Sequence, residues 1–177
     1  SELEEVVKKV RTDLDRIDEK SKRVAKEVDR VLKESEDRSK KVAREVEEVL
    51  RKLKEEAGEV DELKRVMKEL KEIVDRDERL NEESSKRLKE VVKDNERLNE
   101  EVRRRAEKLV EEIKRVKDED LVRRAVETLE RLIRELEKLN DESKRRLEEI
   151  LREDKRLNKE STEELRRLLE ELRKTLT

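Results

Sequence analysis

The sequence contains no cysteine, histidine, proline, phenylalanine, tyrosine or tryptophan, and it has only one glycine. Without cysteine there is neither a disulfide nor a thiol nucleophile. Without histidine the chain lacks the commonest acid-base group at neutral pH and a frequent zinc ligand. One glycine cannot form a glycine-rich phosphate loop. These absences exclude most enzyme classes, so we expect a non-enzymatic protein that needs no cofactor and no metal.

What the chain does contain is charge and aliphatic side chains. Charged residues make up 59% of the 177 positions and hydrophobic residues 31%. The 51 basic and 53 acidic residues nearly cancel, so no field of one sign attracts nucleic acid or an anionic membrane. No apolar run is longer than three residues, so neither a signal peptide nor a membrane span is expected. We expect a soluble protein, cytoplasmic when expressed recombinantly and otherwise of unknown location.

Two interruptions divide the chain into three segments of similar length. Gly58 suits the left-handed residue that ends a helix, and Asp118 suits the cap that begins the next one. Ser1 and Glu4 have the spacing of a capping box. The chain, residues 1–177, is predicted to form one domain with short loops. Its helices are expected at about 2–56, 60–117 and 119–176.

Each segment repeats itself every eighteen residues. Residues 78–83 return at 96–101, and Leu139-Asn140 returns at Leu157-Asn158. Eighteen residues make five turns of about 3.6 residues, so the apolar positions stay on one face without supercoiling. These stripes cover roughly a third of each helix. The pattern predicts an all-α fold, a straight antiparallel up-down-up three-helix bundle.

Polar residues interrupt the apolar stripes. All five asparagines lie within them, as do six of the eight serines and two aspartates. Polar residues placed for solubility would lie mainly on the wide charged face, so these form a candidate structural network. Its members are Ser21, Ser35, Ser39, Asp77, Asn81, Ser84, Asn95, Asn99, Asn140, Ser143, Asp154, Asn158 and Ser161.

Nine of these residues fall into three layers. If neighbouring helices are antiparallel, the numbers of facing residues add to about 116 for the first pair of helices and about 235 for the second. Three triplets satisfy both values: Ser21, Asn95 and Asn140; Ser35, Asn81 and Asp154; and Ser39, Asp77 and Asn158. The shared offsets favour three helices that close on one another within one chain. A fourth helix is not needed.

Unpaired buried polar groups cost about 1–3 kcal/mol each, so such layers are expected to be connected by hydrogen bonds. Their expected role is to fix the helix register, because a slipped helix would place a polar side chain against leucine. Relative to apolar replacements, the networks are expected to be neutral or costly in stability.

The whole chain resembles de novo designed helical bundles with modular buried hydrogen-bond networks. The restricted residue vocabulary and the Arg-Leu-Asn-Glu-Glu blocks at 79–83 and 97–101 carry this resemblance. It implies a designed scaffold, an oligomer, a heterodimer subunit or a switch cage. The closed layers favour a monomeric scaffold. The wider stripes of the second and third segments, through Leu80, Leu98, Leu139 and Leu157, favour a subunit that binds a partner helix in a groove.

The sequence disfavours three other interpretations: a carboxylate site, nucleic-acid binding and lipid binding. Asp77 and Asp154 could form an acid pair or a small Mg²⁺ or Ca²⁺ site, but asparagine and serine donors explain them without a pocket, and an aliphatic core is expected to leave no cavity. Arg103, Arg104 and Arg105 could bind nucleic acid, but acidic neighbours and the lack of aromatics favour a solvated helix face. Interfacial lipid binding is disfavoured by the same lack of aromatics.

Overall fold

The computed structural model describes residues 2–57 and 61–176, with side chains left out at a few helix ends. The fold is an all-helical three-helix bundle, as predicted. Its helices are α1 (Glu2–Ala57), α2 (Asp61–Arg115) and α3 (Glu119–Leu176). The predicted capping box at Ser1 and the predicted helix end at Gly58 fall on positions outside the described residues.

For the connection between α2 and α3, the predicted end of α2 is wrong and the predicted start of α3 is confirmed. α2 was predicted to reach residue 117, but it ends at Arg115. The amide of Val116 donates to the carbonyl of Ile113, three residues back, at 3.2 Å, and this tighter bond closes the last turn. Asp118 caps α3 as predicted: its side chain accepts from the Asp120 amide at 3.0 Å, and its carbonyl accepts from the Val122 amide at 3.1 Å.

The exposed faces of the helices are stabilised locally. Arg105 donates to Glu101 at 2.9 Å, one turn earlier. The hydroxyls of Thr12 and Thr128 donate to the backbone carbonyls four residues before them, both at 2.9 Å. The charge pair adds only a few tenths of a kcal/mol, and the threonine bonds add no net stability. Most of the helical stability therefore has to come from the buried stripe.

Contacts divide the chain into two compact units. Unit 1 comprises Ser1–Val28 and Leu88–Glu148, and unit 2 comprises Asp29–Arg87 and Glu149–Thr177. Each unit contains a stretch of all three helices. The single-domain organisation stays a prediction.

Each unit has its own apolar core. In unit 1 all three helices contribute, and the buried side chains include Val10, Leu14, Ala106, Val110, Leu129 and Leu136. In unit 2 the core is made of Val46, Leu50, Leu63, Leu70, Ile73, Leu165 and Leu172. Burying a Leu or Val contributes about 1.5–3 kcal/mol relative to exposure, so the two cores account for most of the driving force for folding.

Candidate functional site

The first predicted layer is joined by hydrogen bonds within unit 1. Asn95 Nδ2 of α2 donates to Ser21 Oγ of α1 at 2.8 Å and to Asn140 Oδ1 of α3 at 3.0 Å. Asn99 and Asn140 exchange two amide hydrogen bonds, at 3.3 and 2.8 Å. Asn140 also donates to the Leu136 carbonyl at 2.8 Å. We call these four residues, Ser21, Asn95, Asn99 and Asn140, the amide network.

The amide network is not fully closed. Asn95 Oδ1 is buried and has no hydrogen-bond partner among the described residues. Ser21, Asn95 and Asn140 are half-buried, whereas Asn99 is only 4% exposed. One side of the network therefore lies near solvent and the other side lies in the dry core.

A cavity that opens to solvent adjoins the exposed side, and charged side chains such as Lys20 and Lys144 form part of its wall, so it lies outside the aliphatic core. It has a volume of about 340 Å³ and lies in unit 1, where Ser21 and Val24 of α1 face Ser143 and Leu147 of α3. The physical reason is side-chain size, because serine on both helices is too small to fill the space that leucine would occupy. Ser143 is thus a half-buried wall of this cavity and is not a bonded member of the amide network.

The second and third predicted layers do not form separately in unit 2. They merge into one group, Ser35, Ser39, Asp77, Asn81, Asp154 and Asn158, which we call the carboxylate network. Ser39 donates to Asp77 Oδ2 at 3.0 Å, and Asn81 donates to Ser39. Ser35 lies 3.4 Å from Asn81 Oδ1 and 3.5 Å from Asp154 Oδ2.

The predicted contact of Asn158 with Ser39 and Asp77 is wrong. Asn158 Nδ2 instead donates to Asp154 Oδ2 at 3.1 Å and to Ser35 at 3.4 Å. Proximity along one helix explains the change. Asp154 lies one turn before Asn158 on α3, so its carboxylate is within reach of the Asn158 amide without a bond to another helix.

Two carboxylates occur in this network, and both are perturbed. Burial raises the pKa of Asp77, the Ser39 hydroxyl lowers it, and the negative charge of Asp154 raises it further. Burial also raises the pKa of Asp154, although the hydroxyls of Ser84 and Ser35 and the amide of Asn158 lower it in part. Asp154 is only 8% exposed. Its ionised form is therefore costly at this position.

The two remaining candidates lie at the edge of the carboxylate network. Ser84 is half-buried and acts on Asp154 through its hydroxyl. Ser161 is 5% exposed and makes no recorded hydrogen bond with the carboxylate network. We assign Ser161 no role beyond that of a small residue in the helix interface.

Interhelical ion pairs flank the networks, and sequence reasoning placed these residues only on a solvated face. Arg103 of α2 reaches across to Asp15 and Asp18 of α1, the latter at 3.1 Å. Arg16 of α1 pairs with Glu137 of α3 at 3.0 Å. In unit 2, Arg76 pairs with Glu164 at 2.8 Å. The residue numbers of the pairs between α2 and its neighbours miss the layer offsets by two to five, so those offsets alone do not locate them.

The arginine run at 103–105 is engaged with acidic groups. Arg103 is half-buried, and its bond to Asp15 raises the pKa of its guanidinium. Arg104 lies 3.8 Å from Glu100, and Arg105 lies 2.9 Å from Glu101. Each of the three cations thus has at least one carboxylate within 4 Å.

Neither a metal-binding cluster nor a membrane-spanning helix occurs in the described ranges. Residues 2–57 and 61–176 contain no cluster of three or more His, Cys, Asp or Glu side chains arranged to hold a metal ion. No helix in the same ranges has the length and apolarity needed to cross a membrane.

No family model matches the chain, and neither a curated protein nor a solved structure matches it. The class of protein therefore follows from its fold and its site. It is an all-helical three-helix bundle with buried serine and asparagine hydrogen bonds.

Proposed function

We propose that the chain is a designed, non-catalytic scaffold whose serine, asparagine and aspartate networks fix which residues of the three helices face one another. The observation that carries the proposal is the joining of all three helices at one level in unit 1. Asn95 of α2 donates to Ser21 of α1 at 2.8 Å and to Asn140 of α3 at 3.0 Å.

The networks raise the free energy of wrong helix pairings. An aliphatic core accepts many helix pairings, since one leucine packs against another nearly as well. A buried amide that loses its partner costs about 1–3 kcal/mol. A slip of one or more turns would separate Asn99, which is 4% exposed, from Asn140 without offering water in exchange. Polar networks in this position therefore exclude alternative pairings more strongly than they stabilise the correct one.

Two features of the sequence support the designed and non-catalytic parts of the proposal. The eighteen-residue repeat and the restricted residue vocabulary are typical of design practice. The chain has no histidine and no cysteine, and the carboxylates of Asp77 and Asp154 are held by serine and asparagine side chains.

The test compares the wild type with a variant in which the amide network is replaced by leucine at Ser21, Asn95, Asn99 and Asn140. Wild type is expected to be one chain by size exclusion with light scattering and to give one set of amide resonances. The variant is expected to stay helical and to show extra resonances or higher oligomers. A control with four exposed residues, Glu90, Lys93, Arg145 and Glu148, replaced by alanine changes the same number of positions away from the network and its cavity.

Two outcomes contradict the proposal. A clean dimer of the wild type would show that the bundle is not self-contained. A leucine variant that remains one chain with one set of resonances would show that the amide network does not select the register.

A second candidate function is the binding of an amphipathic helix along unit 1. Apolar side chains remain exposed there: Leu121 is 51% exposed, and Val116 and Leu139 are each 38% exposed. Leu121 and Leu139 are eighteen residues apart and so lie on one line of α3. Strong fluorescence of a hydrophobic dye with the native protein, lost on changing Leu121 and Leu139 to glutamate, would favour this candidate. A dye signal equal to buffer would exclude it.

A further inference from the structure

The two networks are related by the eighteen-residue repeat. Ser21, Asn95, Asn99 and Asn140 correspond to Ser39, Asp77, Asn81 and Asn158, each eighteen positions away. Only one of the four pairs differs in residue type, because asparagine at position 95 is replaced by aspartate at position 77. The chain therefore contains two versions of one polar site, a neutral one in unit 1 and a carboxylate one in unit 2.

The same oxygen is unsatisfied in both versions. Asn95 Oδ1 and Asp77 Oδ1 are each buried without a hydrogen-bond partner among the described residues. For a neutral amide this leaves one weak acceptor unpaired. For an ionised carboxylate it leaves part of a full negative charge without a donor, which costs considerably more.

Unit 2 also adds a second carboxylate together with two hydroxyls, those of Ser35 and Ser84, which both act on Asp154. Neither hydroxyl reaches the unpaired Asp77 Oδ1. Ser35 has one hydroxyl hydrogen, yet it faces two acceptors, Asn81 Oδ1 at 3.4 Å and Asp154 Oδ2 at 3.5 Å. One hydrogen cannot serve both acceptors fully. The carboxylate network in its fully ionised form is therefore short of donors.

The charges around the two carboxylates come from all three helices. Arg38 of α1 favours ionisation of Asp154, and Asp154 of α3 opposes ionisation of Asp77. On α2, Arg76 favours ionisation of Asp77 and Glu78 opposes it. Arg76 is shared, because it pairs with Glu164 at 2.8 Å. The nearby cations thus compensate the pair only in part.

We propose that the carboxylate network is a proton-binding site that strengthens the packing of unit 2 as the pH falls. A proton bound by either Asp77 or Asp154 removes the repulsion between the two carboxylates and lowers the negative charge that the few donors have to compensate. The site is a device for pH response that the amide network lacks. It goes beyond the register role and does not depend on it.

The sign of the effect follows from proton linkage. Burial raises the pKa of both carboxyls in the folded chain above that of the unfolded chain, and repulsion by Asp154 adds to the rise at Asp77. The folded state therefore holds more protons through this range, and stability falls as the pH rises through the raised folded value. On acidification the contribution is recovered, and it is complete below the unfolded value of about 3.9. Most acid-denatured proteins show the opposite sign.

The experiment is a guanidinium titration followed by circular dichroism at pH 7.5, 6, 5 and 4. It compares wild type with Asp77→Asn, which restores the residue that the repeat places at position 95. The matched control is Asp94→Asn, an exposed position on the same helix. We expect the midpoint of Asp77→Asn to exceed that of wild type at pH 7.5 and the difference to disappear toward pH 4. Asp94→Asn should follow wild type throughout.

A gain-of-function variant provides an independent test. Asn95→Asp places the carboxylate in unit 1 and should introduce a new acid-stabilised component, with a lower midpoint at pH 7.5 that recovers toward pH 4. Carbon-13 titration of the wild-type aspartates should show Asp77 and Asp154 titrating in two coupled steps, at least one above the unfolded value of about 3.9. Identical midpoints of wild type and Asp77→Asn at every pH, or simple titration of both carboxyls at the unfolded value, would overturn the proposal.

Discussion

Replacing one asparagine of the amide network by leucine should lower the free energy of unfolding more than replacing all three. In Asn140→Leu, the two bonds that join Asn140 to Asn99 disappear, and Asn99 is 4% exposed. Two buried amide groups left unpaired cost about 1–3 kcal/mol each. Partial burial of the new leucine returns about 1.5 kcal/mol. Asn95 loses a bond as well, but it lines the cavity and can be hydrated there.

The net expectation is a loss of about 1–4 kcal/mol for Asn140→Leu, which lowers the guanidinium midpoint by roughly 0.3–1 M for a chain of this size. The triple variant Asn95→Leu, Asn99→Leu and Asn140→Leu leaves no unpaired amide and should be at least as stable as wild type. Circular dichroism at 222 nm is the suitable signal, because the chain has no aromatic residue for fluorescence.

The matched control is Glu142→Leu, which adds a leucine at an exposed position two residues away. It should change the midpoint little. A triple variant that is less stable than Asn140→Leu would refute the reasoning, because it would mean that the network contributes net stability and is not merely expensive to break. An Asn140→Leu variant as stable as wild type would mean that water already satisfies Asn99.

Two further predictions concern the core and the helix cap. Leu129→Ala, at a side chain that is 0% exposed, should lower the free energy of unfolding by about 2–5 kcal/mol, whereas Leu121→Ala, at 51% exposure, should cost less than about 1 kcal/mol. Equal losses in chemical denaturation would show that unit 1 is not packed as described. Asp118→Ala removes the acceptor of the Asp120 amide and should cost about 0.5–2 kcal/mol, with Asp118→Asn retaining most of the cap. Faster amide exchange at residues 119–122 in the alanine variant alone would support this cap assignment, and no change there would contradict it.

The helices were predictable because their signals are local. Apolar spacing located all three segments, and Asp118 marked the start of α3. The end of α2 was placed two residues too far along, because no proline or glycine marks it. What ends α2 is a single backbone bond from Val116 to Ile113, and backbone geometry of this kind leaves no trace in residue type.

The candidate site was predictable to the extent that it depends on register. Two offsets were enough to bring Ser21 together with Asn95 and Asn140, since antiparallel helices of constant rise keep their levels aligned. The offsets could not decide between partners one turn apart. Asn158 bonds to Asp154, four residues earlier on its own helix, and level alone does not encode a bond within one helix. The cavity was not predicted, because it depends on the combined volumes of side chains from two helices.

The eighteen-residue repeat would allow a wrong helix register, and the differences between the two networks disfavour that register. A shift of α1 along α3 by eighteen residues would leave the apolar stripes matched and would place one copy of the four-residue network opposite the other. Ser35 and Asp154 have no polar counterparts in the repeat: the positions eighteen residues away are Ile17 and Leu53 for Ser35, and Leu136 and Leu172 for Asp154. A shifted α1 would therefore place the Asp154 carboxylate opposite Ile17 or Leu53 instead of Ser35. A buried carboxylate against an aliphatic side chain costs far more free energy than a displaced amide. Ser35 and Asp154, which do not follow the repeat, therefore disfavour the shifted register most strongly.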